Sequence, residues 1–267
     1  MQVRRATSRD RVAVSALLES APFSNHLLAA RLQRESGAEL WGCWREGELS
    51  GAVAVGAALY PSRIDSESQA ALADLLPERA AMVGSITGER ESVLGLWNQL
   101  APRWPVAARL VRQSQPFLVL SQQLTAPADS PVRRAREADL PAYTAAGAMM
   151  FAAEIEAPPP LRALQQRYHA SIRAGRSFAA VSEERVYFKC DIGFVLDGVA
   201  HLQGVWLAPE LRGRGSSAEL LAGALAIVQA EIAPRVSLYV NDFNVPALAL
   251  YRRLGFEQVD EYATVFF

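Results

Sequence analysis

The chain has 267 residues, a formal net charge of -1, and 51% hydrophobic residues. This length accommodates one large or two ordinary domains, each with a buried core. The composition is typical of a soluble globular protein. The near-zero charge gives no support for a nucleic-acid partner, because binding to a phosphate backbone requires a basic face.

The sequence shows neither a signal peptide nor a membrane-spanning segment. The first ten residues are charged and lack the apolar segment of a signal peptide. The longest apolar run, residues 51–60, is far shorter than the roughly 20 residues of a spanning helix. We therefore expect a cytoplasmic protein without a membrane partner.

The cysteine and histidine patterns favour no disulfide and no metal. Cys43 and Cys190 each lie inside an apolar, strand-like run, which favours two reduced core residues over a disulfide or a nucleophile. The three histidines are scattered along the chain, so no metal site is expected.

A short internal repeat divides the chain. Residues 3–6, Val-Arg-Arg-Ala, are followed by Asp10, and the same four residues at 132–135 are followed by Asp139. The offset of 129 residues nearly halves the chain, and residues 125–131 between the copies form a proline-containing linker. The repeat predicts two domains of similar fold, spanning 1–126 and 127–267.

The predicted elements of the first half alternate between helices and strands. Helices are predicted at residues 11–20, 23–34, 66–76 and 89–100, and strands at 39–44, 49–55, 81–86, 107–111 and 117–120.

The second half continues with a comparable order. Strands are predicted at residues 132–135, 177–182, 186–196, 200–207, 236–240 and 257–267, and helices at 140–150, 161–174, 219–232 and 245–254. This order predicts an α/β fold, with a mixed sheet and flanking helices.

The connection after the strand at 200–207 has the features of an anion site. It contains glycines and the arginines Arg212 and Arg214, and leads into a helix with Ser216 and Ser217 near its first turn. Glycines allow N–H groups to turn inward, and a helix N-terminus adds unpaired donors and partial positive charge. A pyrophosphate therefore fits. Taken alone, the loop is equally well explained as a tight turn with two solvated arginines.

Two motifs in this half resemble those of the GNAT (GCN5-related N-acetyltransferase) superfamily. Arg212, Gly215 and Ser217 occupy the defined places of its acetyl-CoA loop, Q/R-x-x-G-x-G/A, with serine where glycine or alanine is usual. Residues 244–256 match its second signature, N-x-x-A-x-x-L-Y-x-x-x-G-F, in full. Segments 25–31, 39–42 and 237–244 are similar to a bacterial GNAT subfamily with an uncharacterised N-terminal domain.

The resemblance implies tandem GNAT-like domains, each a mostly antiparallel sheet flanked by helices, with acetyl-CoA as the co-substrate of the second. It implies that a strand edge binds the pantetheine arm, that the loop wraps the pyrophosphate, and that Tyr251 is the general acid. The implied cofactor-binding residues are Val205, Trp206, Leu207, Arg212, Gly213, Arg214, Gly215, Ser216, Ser217, Ala218 and Asn244.

The general base is left open. Some family members have a glutamate at the position of Tyr239, and a tyrosine cannot replace a carboxylate at neutral pH. The candidates are Glu154, Glu156, and His201 or Gln203 acting through water.

The first half lacks the corresponding chemistry. Residues 87–91, Thr-Gly-Glu-Arg-Glu, carry two acids where a phosphate loop would carry glycines and arginines, and no Y-x-x-x-G-F follows. We expect a degenerate domain that packs, shapes the substrate cleft or forms a homodimer.

The resemblance implies an N-acetyltransferase that moves the acetyl group of acetyl-CoA to a primary amine of a small molecule or protein, by direct attack in a ternary complex. Two alternatives remain, a non-catalytic acyl-CoA-binding or sensing protein, and an interaction protein that binds no CoA.

Overall fold

The computed structural model describes residues 1–34, 39–154 and 159–267. Its first ten elements are β1 Gln2–Arg5, α1 Arg11–Ser20, α2 His26–Arg34, β2 Glu39–Arg45, β3 Glu48–Val55, β4 Leu59–Ser62, α3 Ser66–Leu75, β5 Ser85–Glu89, α4 Arg90–Leu100 and β6 Leu110–Leu120. The next ten are β7 Arg133–Arg134, α5 Leu140–Glu154, α6 Leu161–Arg173, β8 Ser177–Ser182, β9 Arg185–Leu196, β10 Val199–Leu207, α7 Ser216–Glu231, β11 Arg235–Tyr239, α8 Val245–Arg253 and β12 Glu257–Phe266.

Both sets of ten follow the same order, which is strand, two helices, three strands, helix, strand, helix, strand. An identical order in two consecutive segments is the structural counterpart of the sequence repeat. The expected class, a mixed α/β fold with tandem mostly antiparallel sheets, is confirmed.

The chain groups into two compact units. The first unit comprises Met1–Leu118, Tyr239–Val245 and Gln258–Phe267, and the second comprises Val119–Leu238 and Pro246–Glu257. The units are therefore not two consecutive segments, since the last strand of the chain belongs to the first unit. The division into domains 1–126 and 127–267 refers to the sequence repeat and stays a prediction.

In the first unit, the neighbouring strands β1, β2, β3, β4, β5 and β12 follow one another in that order. All of these pairs are antiparallel except β4 with β5. Leucines of α1 and α2 pack with Leu40, Ala52 and Ala54 of the sheet. A second apolar cluster joins α3 and α4 to the strands through Leu72 and Leu96. The sheet therefore packs against helices through two separate cores.

In the second unit, the strand order is β11, β10, β9, β8 and β7, and only β10 with β11 is parallel. Tyr143 and Met150 of α5 and Tyr168 of α6 share one core cluster with Trp206 of β10. Helix α7 lies against β7 and β8. The helices of this unit therefore bury the apolar face of its sheet.

Several predicted boundaries were wrong. Residues 76–82 form a 3-10 helix, so β5 starts at Ser85 rather than residue 81. The two segments 107–111 and 117–120 are one strand, β6. Strand β4 was missed because it is short and contains Pro61, which disfavours a strand. Strand β4 pairs with β5 at Leu59. Pro61 lies two residues further on, where its lack of an N–H removes no hydrogen bond to β5.

The repeated residues build the same Arg–Asp clamp at the start of each unit. In the first unit, Arg4 donates to both carboxylate oxygens of Asp10 at 2.9 and 2.7 Å. In the second unit, Arg133 donates to both oxygens of Asp139 at 2.6 and 3.0 Å. Asp139 also accepts from the N–H of Arg136 at 2.7 Å. The clamp therefore fixes the turn between the first strand and the first helix of each unit.

Both cysteines are free and buried, as expected. Burial raises the pKa of the Cys43 thiol to about 11 and raises that of Cys190 further. Across the described ranges, the helices are too short or too polar to cross a bilayer.

Replacing Asp139 by Asn tests the second clamp. The hydrogen bond from Arg133 lowers the pKa of Asp139. The carboxylate therefore stabilises the fold above its unfolded pKa of about 3.9, and this stabilisation is lost as the pH falls through the lower folded pKa. We expect D139N to reduce the free energy of unfolding at pH 7 by roughly 1–2 kcal/mol, a deficit that shrinks below about pH 4. Urea denaturation measures this, with the exposed Asp129→Asn as the control. An equal loss in D129N would contradict the assignment.

Candidate functional site

Strand β10 separates from its neighbour part of the way along its length. Its parallel pairing with β11 runs from Val199 to His201, where His201 is opposite Ser237. On its other side, the register with β9 shifts between Gln203 and Trp206. Gly204, within this shift, has a φ of +61°. The irregularity is a β-bulge. Residues 205–207 lie beyond the stretch that pairs with β11, while Trp206 and Leu207 still pair with β9.

The predicted pantetheine strand is anchored by its side chains. Trp206 and Leu207 are buried, and Val205 is half-buried. Trp206 packs in the cluster with Tyr143 and Met150. These contacts leave the backbone as the part of the strand that a ligand can reach. The next N–H, of Ala208, donates to the carbonyl of Tyr187 at 2.8 Å.

The loop after β10 presents an open helix N-terminus. Pro209–Leu211 forms a 3-10 turn, and Gly213 and Gly215 have φ values of +73° and +84°. Gly215 is the N-cap of α7, and no side chain caps this end. A Cβ at either glycine would meet no atom within 4 Å, so both border open space. The first N–H groups of α7, from Ser216 and Ser217, therefore face a cradle with the polarity that anions require.

Two arginines flank this cradle. Arg212 and Arg214 are exposed. The Nε of Arg212 donates to the carbonyl of Leu207 at 3.1 Å, which uses one of the five guanidinium N–H donors. The carbonyl of Leu207, the last residue of β10, thus orients the Arg212 guanidinium beside the loop. Ala218, in the first turn of α7, is buried.

In the first unit, the helix that corresponds to α7 is capped by a carboxylate of the chain itself. By order of elements, the equivalent connection is residues 63–65 between β4 and α3, whereas residues 87–91 are the end of β5 and the start of α4. Asp65 caps α3 by accepting from the N–H of Ser68 at 2.9 Å, a bond that lowers the pKa of the Asp65 carboxyl. Arg45 pairs with Asp65 at 2.7 Å. An internal anion therefore occupies the position that is open in the second unit.

Tyr251 lies in the last turn of α8, in a C-terminal motif of the Schellman type. The N–H of Phe256 donates to the carbonyl of Tyr251 at 3.0 Å, and the N–H of Gly255 donates to that of Arg252 at 3.0 Å. Gly255 has a φ of +88°. The rings of Tyr251 and Phe256 meet edge to face at 5.5 Å. The spacing Y-x-x-x-G-F is thus that of a helix end with its apolar contact.

Asn244 immediately precedes α8 and belongs to the first unit. Its N–H donates to the carbonyl of Asn241 at 2.9 Å, which closes the turn before the helix.

The candidate bases have mixed placements. The side chain of Glu154 and all of Glu156 lie outside the described residues. His201 is buried, its ring stacks on Phe194 at 4.8 Å, and its Nδ1 is 3.0 Å from the Ser237 hydroxyl. Tyr239 packs on Tyr262 at 5.7 Å in the first unit. Gln203 is half-buried on β10, beside the bulge.

A cleft of about 870 Å³ borders the start of α7 in the second unit. Its charged lining residues are the cation Arg185 and the acids Asp129, Glu183, Glu210 and Glu219. Arg185 is paired with Glu210 at 2.6 Å. The acidic balance disfavours a phosphate in this cleft, so the cradle at Gly213–Ser217 is the better anion site.

Sequence reasoning missed a buried ion pair under β10. Lys189 is fully buried and its Nζ lies 2.8 Å from Asp191 Oδ2. Lys189 is the only lysine of the chain and lies in an apolar strand, which was the available signal.

Comparison with known families agrees with this geometry. Residues 149–256 match the acetyltransferase (GNAT) family, and residues 38–143 match a domain of unknown function, DUF4081. Residues 149–256 therefore belong to the acetyltransferase (GNAT) family, and a domain of unknown function precedes them. This family supports acyl transfer as its general chemistry.

Solved structures share the whole fold. A GNAT-family acetyltransferase of Colwellia psychrerythraea is 16% identical, with full coverage of both chains and a TM-score of 0.61. A GCN5-related N-acetyltransferase of Sphaerobacter thermophilus is 17% identical, with 99% and 94% coverage and a TM-score of 0.69. A tandem GNAT protein from the clavulanic acid biosynthesis pathway is 13% identical, with 99% and 97% coverage and a TM-score of 0.56. One of the solved structures with this fold is therefore a tandem GNAT protein.

Replacing Gly255 by Ala tests the helix end that holds Tyr251. The substitution strains a backbone at φ +88°, and its Cβ would collide with the side-chain amide of Gln122. Gly213→Ala is the matched control, because φ is +73° there and the Cβ meets open space. We expect G213A to reduce the free energy of unfolding by about 1 kcal/mol and G255A by about 2 kcal/mol or more. Equal losses in thermal denaturation would show that the contact with Gln122 has no energetic weight.

Proposed function

We propose that the second unit binds acetyl-CoA and transfers its acetyl group to a primary amine of a small molecule or protein. The observation that carries this proposal is the uncapped, glycine-lined N-terminus of α7, next to a strand that has left its parallel neighbour. The cradle suits a pyrophosphate, and the free edge of β10 suits the amide groups of a pantetheine arm. The family match supports the same co-substrate.

The chemical step is direct attack in a ternary complex. The amine nitrogen attacks the thioester carbonyl carbon, the C–S bond breaks, and the thiolate leaves with a proton from the Tyr251 hydroxyl. The nitrogen releases one proton to solvent, and the tyrosinate takes one proton back from solvent. A tyrosine with a reference pKa of about 10 can protonate a thiolate whose reference pKa is about 8.5. Main-chain N–H groups of Val205 and Leu207, on the edge away from β9, stabilise the charge that develops on the carbonyl oxygen.

The acceptor we propose is an amine of low pKa. At pH 7, an amine with a pKa near 10.4 is neutral in about one molecule in a few thousand, whereas an α-amino group near 7.8 is neutral in roughly a tenth. His201 is engaged with Phe194 and Ser237, and Tyr239 stands where some family members have glutamate. An acceptor that is already partly neutral makes the smallest demand on a base.

Titration calorimetry with acetyl-CoA tests the binding step. We expect one site per chain with a micromolar dissociation constant, because Asp65 caps the equivalent helix of the first unit. Two sites per chain would contradict the closed first unit. No binding would refute the proposed function and favour an interaction protein.

Replacing Gly215 by Val tests the cradle itself. A side chain there blocks the approach of phosphate to the backbone, so we expect acetyl-CoA affinity to fall at least tenfold. Gly198→Val is the matched control, since Gly198 also has a positive φ, +72°, but lies in the β9–β10 turn. If both variants bind equally well, the loop is not the phosphate site.

Replacing Tyr251 by Phe tests the acid. Phenylalanine keeps the ring contact with Phe256, so we expect the affinity for acetyl-CoA to stay unchanged while turnover falls by about 10²-fold or more. Turnover is measured by thiol release with a panel of α-amino and lysine-type amines. Undiminished turnover would remove Tyr251 from the mechanism. Wild-type binding without turnover on any amine would identify a non-catalytic acyl-CoA-binding protein.

A further inference from the structure

The buried ion pair of the second unit touches the backbone of the proposed cofactor strand. Lys189 and Asp191 both lie on β9, and each is almost fully buried. Besides the bond to Asp191, the Nζ of Lys189 donates to the carbonyl of Gly204 at 3.0 Å. It also lies 4.9 Å from the ring centroids of Tyr143 and Tyr168. The ammonium is thus enclosed by one carboxylate, one carbonyl and two aromatic rings.

The carboxylate is equally well held. The Oδ1 of Asp191 accepts from the hydroxyl of Tyr143 at 2.9 Å and from that of Ser177 at 2.6 Å. Burial lowers the pKa of Lys189, but the charge and hydrogen bond of Asp191, together with the neighbouring Tyr168 and Cys190, raise it more, so the net direction is upward and the ammonium keeps its charge. Desolvation makes buried pairs poor stabilisers compared with apolar residues of the same volume. A geometric role explains this pair better than a stabilising one.

Gly204 and the ion pair are fitted to each other. Gly204 has a φ of +61°, and a Cβ built on it would lie 3.1 Å from the Lys189 Nζ and 3.2 Å from Asp191 Oδ2. Residues on both sides of the bulge pair with the two charged residues, Gln203 with Asp191 and Trp206 with Lys189. The bulge and the ammonium therefore occupy adjacent space that only a glycine leaves free.

We infer that Lys189 and Asp191 are positioning residues for the acyl-CoA site, an inference that rests on the proposed function. A trans peptide holds its C=O and its N–H in opposite directions. By binding the carbonyl of Gly204 on the core side, the ammonium turns the N–H of Val205 away from the core. Val205 is the first residue after the bulge, where β10 no longer pairs with β11. Its N–H is thereby aimed as a donor to the acyl carbonyl.

The test uses the full-length double variant Lys189→Met/Asp191→Asn, which removes both charges at similar volume and leaves an amide oxygen for Tyr143 and Ser177. Single removal of Lys189 would leave a buried, unpaired carboxylate and unfold the unit. The control is Ile172→Ala, which weakens the same core cluster through a residue outside the ion pair and the bulge. The readouts are dissociation constants for acetyl-CoA and free CoA by calorimetry, and amide exchange of residues 202–207 in the ligand-free chain.

We expect the double variant to stay folded, with amide exchange at residues 202–207 about tenfold faster than in wild type or Ile172→Ala. Affinity for acetyl-CoA is expected to fall about tenfold and that for free CoA by much less, because only the acyl ligand has the thioester carbonyl. Ile172→Ala should keep the wild-type ratio of the two affinities.

Wild-type exchange and an unchanged affinity ratio in the double variant would overturn the inference. So would an equal change of ratio in Ile172→Ala, since general loosening of the core would then suffice. If the wild-type chain bound neither ligand, the proposed function would fall and the acyl-CoA part of the inference with it. The exchange rates would then decide separately whether the ion pair holds the bulge.

Discussion

A β-strand can offer its main-chain groups to a ligand only where no neighbouring strand uses them. In the second unit this condition arises at His201, the last residue of β10 that pairs with β11. The backbone groups beyond that point that faced β11 need other partners, because buried unpaired polar groups are costly. The carbonyl of Gly204 accepts from Lys189, and the carbonyl of Leu207 accepts from Arg212. The groups that remain form the edge that we propose for the pantetheine arm.

The two units show how one fold is opened or closed to an anion at a helix N-terminus. Helix α7 begins at Gly215, which has no side chain to cap it, and helix α3 begins at Asp65, whose carboxylate does so. The partial positive charge is present at both ends, because it comes from the aligned peptide dipoles. In one unit this charge is satisfied internally, and in the other it is available to a ligand. A difference of one capping residue thus separates a structural helix from a candidate binding site.

Local patterns predicted most of the fold, and long-range contacts account for what they missed. The helices α5 and α6, the β8–β9 hairpin and the succession of strands and helices along the second half follow from periodicity and turn residues. The short strand β4 does not, because its stability comes from pairing with β3 rather than from its own sequence. Missing it shifted the expected phosphate-loop equivalent of the first half from residues 63–65 to 87–91. The role of the ion pair of Lys189 and Asp191 could not be predicted from local sequence either, because it depends on a contact with Gly204, 15 residues beyond Lys189.

The motif at residues 251–256 combines two roles, since it ends α8 and contains the proposed proton donor. In Y-x-x-x-G-F, the glycine at 255 supplies the left-handed backbone that ends α8, and Phe256 packs on the ring of Tyr251. These helix-ending contacts would favour a glycine followed by an aromatic residue in a protein without any catalysis as well. A phenylalanine ring would pack on Phe256 as well, so this packing contact does not explain the tyrosine hydroxyl. The helix end therefore places at position 251 the hydroxyl that we propose as the proton donor.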